Sequence, residues 1–140
     1  MIIINEIMFY GRYYSDENFP YDISWWLCLK DYKAYHTETL MTDYSYKSIS
    51  EIKKSLTYIP FFKTDIIQLE KEFMKRLNNK KFNIDLDKIL VDNICSYDVA
   101  FKIFIEKEFM VDLWSEYEKS RLIKDAIMWC RENHLPYKVC

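Results

Sequence analysis

Ile23-Ser24-Trp25-Trp26-Leu27-Cys28-Leu29-Lys30-Asp31-Tyr32-Lys33-Ala34-Tyr35-His36-Thr37-Glu38-Thr39 is the stretch whose reading decides the fold. Residues 23–29 form an almost unbroken apolar run, short and bounded by polar residues, which reads as a buried strand rather than a helix. Lys30-Asp31-Tyr32 reads as a turn, and residues 33–39 return as a second strand rich in β-formers. The turn lacks the Asn-Gly or Asp-Gly pair of the tightest hairpins. A hairpin in the first third commits the chain to β-structure there, and residues 47–140 decide between all-β and mixed classes.

That longer part of the chain reads as helical. Residues 47–56 predict a short helix capped by Ser48 or Ser50, and Thr57-Tyr58-Ile59 is extended before Pro60. Thr64 or Asp65 caps a stronger helix whose apolar stripe is Ile66, Ile67, Leu69, Phe73, Met74 and Leu77, and Asn78-Asn79 stops it. Residues 84–93 give another helix. Ser96 caps a fourth, carrying Val99, Ala100, Phe101, Ile103, Phe104 and Ile105. A last helix spans about residues 112–132, with Leu113, Trp114, Tyr117, Ile123, Ala126, Ile127 and Cys130 inward. Upstream, Ile2, Ile3, Glu6, Ile7 and Tyr10 fit helix or strand, and residues 16–20 form a loop ending at Pro20. The expected fold is therefore α+β. A small antiparallel N-terminal hairpin or meander packs on four or five C-terminal helices. One domain of 140 residues is expected, with an aromatic, β-leaning part over 1–46 and a helical part over 47–140.

Composition narrows the function. There is one glycine, Gly11, so the chain cannot build a P-loop or a Gly-x-Gly-x-x-Gly turn. Net charge is −2, distributed as −4 over residues 1–46, +5 over 47–82 and −3 over 83–140. Phosphate recognition rests on clustered Lys and Arg, so nucleic acid is an unlikely partner. Cys28, Cys95, Cys130 and Cys140 are widely spaced with no Cys-x-x-Cys, as expected of free thiols in a reducing cytoplasm. The opening Met1-Ile2-Ile3-Ile4 ends too soon at Asn5 and Glu6 to read as a signal sequence. No apolar run approaches the roughly 20 residues of a membrane span.

Chemistry-bearing constellations are sparse. Cys130 and His134 lie four apart, but a structural zinc site needs a second pair of ligands. Asp85, Asp87 and Asp92 with Asn83 and Asn93 lack the glycine and terminal glutamate of a calcium loop. Cys28 and His36 are possible cross-strand neighbours, and a nucleophile–base pair there needs an accessible, acidified thiol. No catalytic, cofactor or metal site is assigned, and the expectation is a protein without enzymatic activity.

The first 46 residues offer a different kind of site. Aromatic side chains bring large contact area at low entropic cost, and flanking acids steer a basic partner. Tyr13, Tyr14, Tyr21, Tyr32 and Tyr44 interleave with Asp16, Glu17, Asp22, Asp31 and Asp43. These ten residues are the candidate partner-binding surface. The expected role is a non-catalytic binding protein that occludes a basic protein partner, such as an immunity protein against a bacterial toxin or a phage inhibitor of host defence. The alternative is a regulatory or scaffold domain that forms a homodimer through the same aromatics.

The C-terminal half carries a family look. Asp65-Ile-Ile-Gln-Leu-Glu-Lys-Glu-Phe-Met-Lys-Arg-Leu77 precedes Ala100-Phe101-Lys102-Ile103-Phe104, Leu113-Trp114-Ser115-Glu116-Tyr117 and Ala126-Ile127-Met128-Trp129-Cys130-Arg131-Glu132-Asn133. This order resembles one of the numbered uncharacterised protein families of bacteria, over about half the chain. Asp31-Tyr32 stands where that family has a Thr-Gly turn. The resemblance implies an α+β fold and a bacterial or phage origin, and it implies no reaction.

Overall fold

The computed structural model describes residues 1–15 and 21–140. The expected loop over 16–20, with Asp16 and Glu17, lies outside the described residues. In chain order the elements begin with β1 (Ile2–Ile3), α1 (Ile4–Ile7), a 3-10 turn (Met8–Gly11), β2 (Arg12–Tyr13), β3 (Trp25–Cys28) and β4 (Ala34–His36). Then come α2 (Thr37–Thr42), α3 (Ile49–Lys54), β5 (Tyr58–Pro60), β6 (Thr64–Asp65), α4 (Ile66–Leu77), α5 (Lys80–Asn93), α6 (Tyr97–Lys107), α7 (Val111–Glu132) and β7 (Tyr137–Lys138). The class is α+β. No helix among the described residues is long and apolar enough to cross a membrane.

The chain forms two compact units. The first comprises Met1–Arg12, Asn18–Lys63 and Leu122–Cys140; the second comprises Tyr13–Glu17 and Thr64–Arg121. The composition shift at residue 46 therefore does not coincide with the boundary between them.

In the first unit the expected hairpin is present. β3 pairs antiparallel with β4, with Trp25 opposite His36, Trp26 opposite Tyr35 and Leu27 opposite Ala34. The third strand is β5, antiparallel to the other edge of β3, with Leu27 opposite Ile59 and Cys28 opposite Tyr58. The second strand is shorter than the sequence suggests, because residues 37–39 begin α2 rather than extending β4. Two side chains force that change. His36 Nδ1 accepts the Glu38 backbone N–H at 3.2 Å as an N-cap, and Thr37 Oγ1 donates back to the Ile23 carbonyl.

One face of this sheet carries Leu27 into a core with Ile2, Ile4, Ile7, Met8, Phe61, Leu122, Ala126, Trp129 and Cys130. The ambiguous N-terminus is both things in turn. Ile2 and Ile3 form a strand parallel to β7, opposite Tyr137 and Lys138, and Ile4 then starts a helical turn. The other face buries Trp26, Cys28, Leu40, Ile52 and Tyr58. Gly11 sits hard against Phe62, since a Cβ there would overlap its ring.

The second unit is helical, with Ile66, Leu69, Phe73, Met74, Leu86, Ala100, Phe101, Phe104, Ile105 and Trp114 as its core. Caps are those the sequence suggests. Asp65 accepts from the Gln68 N–H, and Ser96 from the Val99 N–H. The Asn78-Asn79 stop divides its labour, with Asn78 ending α4 in the left-handed region and Asn79 capping α5 through the Phe82 N–H. Leu113, expected inward on α7, is 55% exposed; Leu122 and Trp129 hold buried positions on that helix instead.

Candidate functional site

The hairpin of the first unit organises a group of tyrosines around one carboxylate. Tyr32 takes a left-handed conformation in the turn, at φ 55°. Asp31 then accepts the Lys33 backbone N–H at 2.9 Å and the Tyr35 hydroxyl at 2.7 Å. These donors, Tyr35 foremost, hold the Asp31 carboxyl below its usual range, with the Cys28 thiol assisting and desolvation opposing. The same bond pushes the Tyr35 phenol up. Tyr58, on β5, is pushed up chiefly by burial.

From Tyr35 the rings continue edge-to-face. Tyr44 lies 5.9 Å from Tyr35 at 89°, Tyr58 lies 5.8 Å from Tyr35 at 81°, and Tyr46 lies 5.9 Å from Tyr58 at 87°. Each geometry sets a positive ring edge on a negative face, so the four rings brace one another. Tyr58 is buried, whereas Tyr44 at the outer end is 52% exposed. Asp43 beside it is exposed and accepts the Thr42 hydroxyl at 3.2 Å.

The ten residues expected to form a binding surface do not all fall together. Tyr21, Asp22, Asp31, Tyr32, Asp43 and Tyr44 belong to the first unit, and Tyr13 and Tyr14 to the second. Asp31 and Tyr44 come together on Tyr35, and Asp43 precedes Tyr44 in the chain. Asp22 is exposed, and its backbone carbonyl accepts from Lys63 Nζ. Tyr32 packs against the first unit's core and Tyr14 against the second's, so neither is the open aromatic the interleaved pattern suggests. Tyr13 is 40% exposed.

The cross-strand pairing of Cys28 with His36 is overturned by the register. His36 stands opposite Trp25, whose ring it meets edge-on at 5.0 Å. Cys28 is three residues further along and therefore faces the other side of the sheet. On α7, burial raises the Cys130 thiol to about 11, while His134 is exposed beyond the helix end.

Two groups escape a reading of the sequence alone. Tyr35, Tyr46 and Tyr58 complete the ring array, and nothing in their local pattern separates them from ordinary core tyrosines. Glu70, Asp98 and Lys102 meet in the second unit, with Lys102 Nζ 3.3 Å from Glu70 Oε2 and 3.5 Å from Asp98 Oδ1. Here a signal existed. Glu70 is three and four residues from Ile67, Ile66, Phe73 and Met74, so helical spacing places it within the apolar stripe. No protein-family model matches this chain, and no curated protein or solved structure matches it either.

Proposed function

We propose that this chain is a non-catalytic binding protein of the cytoplasm, which occludes a protein partner of basic surface through the Tyr44 end of the ring array. The observation that carries this reading is the combination of exposure and bracing at Tyr44. Half of its surface is open, yet the ring is held edge-on by Tyr35, itself tied to Asp31. An aromatic fixed before binding loses little freedom on binding, which is what makes a hot spot effective. Asp31, Glu38 and Asp43 are exposed in the same segment and supply the negative rim. Such a rim speeds capture of a cationic partner and makes it salt-sensitive.

The test is retention from a bacterial lysate on the immobilised protein at moderate salt, repeated with Tyr44→Ala and Asp43→Lys. One stoichiometric basic protein should be retained by the parent chain and lost with either variant. Loss of a hot-spot ring corresponds to about 2 kcal/mol, or roughly thirtyfold in affinity. Equal retention by the variants would sink the proposal. Recovery of this chain alone would replace it with self-association, which sedimentation would then show as a dimer.

A further inference from the structure

The second unit holds a charged group where its core should be apolar. Glu70, on α4, is 0% exposed and lies on the helix face that carries Ile66, Ile67, Phe73 and Met74 into the interior. Its Oε2 is 3.3 Å from Lys102 Nζ, but its Oε1 is buried without a donor. Asp98, on α6, presents a second buried oxygen, Oδ1, that makes no hydrogen bond although the same Lys102 Nζ lies 3.5 Å from it, and its carboxyl can hydrogen-bond the Glu70 carboxyl once one of the two carries a proton.

Two facing carboxylate oxygens have only lone pairs to offer each other. One proton between them turns one oxygen into a donor and satisfies both. The charge balance asks for the same proton. Glu70 is fully buried while the Asp98 and Lys102 side chains are 25% and 42% exposed, so two carboxylates and one ammonium leave a net negative charge at the edge of the core, which one shared proton brings to neutrality. An uncompensated buried charge is costly, and the usual escape is to take up a proton.

We propose that Glu70 and Asp98 hold a single proton between them as a carboxyl–carboxylate pair, and that the docking of α4 on α6 depends on that proton. Of the neighbouring groups, Lys102 favours the ionised carboxyl, while burial and Asp98 favour the protonated one. On α6, Lys102 is the cation at the pair, and its ammonium also lies over the Trp114 ring of α7 at 5.2 Å. Tyr97, also on α6, is pushed up to about 12 by burial and then by the negative charge of Glu70 and of Asp87 on α5. On α4 itself, Lys71 sits over the Tyr97 ring at 5.3 Å, and Glu72 is paired with Arg121 at 2.9 Å. Neither Lys71 nor Arg121 is thereby placed on the carboxyls. Burial first, and then Asp98, raise the Glu70 carboxyl to about 9, with Lys102 opposing.

A proton held this way gives the stability a definite slope with pH. In the unfolded chain Glu70 releases its proton near 4.5; in the folded protein it keeps it to about 9. Across that window the folded state binds one proton more, so stability falls as pH rises and levels off above the folded value. The experiment is denaturant unfolding of the full chain and of Glu70→Gln from pH 5.5 to 9.5, beside carboxyl carbon-13 NMR of the glutamate-labelled parent. The unfolding constant of the parent should rise about tenfold per pH unit relative to Glu70→Gln between pH 5.5 and 8.5. One glutamate carboxyl should keep its protonated shift through pH 7. Parallel pH profiles, or a full set of glutamates titrating near 4.5, would overturn the proposal. If Glu70→Gln does not fold, the NMR titration of the parent decides alone.

Discussion

Thr37 is the residue on which the hairpin and α2 both turn. Its hydroxyl oxygen accepts from Trp26 Nε1 at 2.8 Å and donates to the Ile23 carbonyl, with the Ser24 carbonyl at 3.1 Å. Thr37→Val keeps the shape and leaves the fully buried Trp26 N–H without an acceptor, a loss of about 1–3 kcal/mol. Thr37→Ser should recover most of it, and urea unfolding of the two variants measures the difference. Gly11 is a second such position, where a methyl group must displace the Phe62 ring; Gly11→Ala should destabilise by about 1–3 kcal/mol in the same assay. The thiols offer a chemical readout. Cys28 and Cys130 are buried and Cys140 is exposed, and a raised pKa leaves little thiolate at Cys130. Maleimide at pH 7.5 should therefore label Cys140 within minutes and reach Cys28 and Cys130 only in denaturant. At this scale the sequence is legible wherever periodicity speaks. It points at Glu70, whose charge masks a position that helical spacing already places inside. It is silent on Thr37, because the partners of that hydroxyl lie 11, 13 and 14 residues away and are brought close only by the hairpin.

Among the elements, the caps are the most readable feature, since each is a contact over three residues written directly in the sequence. Ser96 caps where the sequence predicts, and of the pairs it offers, Ser48 or Ser50 and Thr64 or Asp65, the caps are Ser48 and Asp65. Asn79 shows the value of such a contact. Asn79→Ala should lower stability by about 1 kcal/mol, with the loss visible as faster amide exchange in the first turn of α5. The strands are less readable. β3 is recognisable by its apolar run, whereas β5 reads only as extended chain, because its partner on β3 lies some thirty residues upstream. Register is the least accessible property. The distance from Cys28 to His36 depends on where Trp25 meets its partner, and a turn with Tyr32 in the left-handed region fixes that. The tyrosine array shares this dependence, since Tyr35, Tyr44, Tyr46 and Tyr58 come from a strand, the bend after α2, a loop and another strand.

For the molecule as a whole, class is legible in the sequence and partition is not. Composition marks where aromatics thin out, at residue 46, but compact units are defined by which segments touch. The first unit takes Leu122, Ala126, Trp129 and Cys130 from the far end of the sequence into its core. Trp129 is the strongest of these contributions. It stacks on Phe61 at 4.9 Å and donates from Nε1 to the Pro60 carbonyl at 3.1 Å. Trp129→Ala should therefore cost about 3–5 kcal/mol, read as a lowered midpoint in thermal unfolding.

The pairing of Ile2 and Ile3 with Tyr137 and Lys138 also sets a timetable. Closing so long a loop is slow, and its entropy must be spent before the contact repays it. During synthesis every residue of the second unit is made before the first unit's last stretch, Leu122–Cys140, begins. Ile2, Ile4 and Ile7 thus wait for shelter until Leu122, Ala126, Trp129 and Cys130 have been made, and through that interval the nascent first unit carries apolar side chains whose partners do not yet exist.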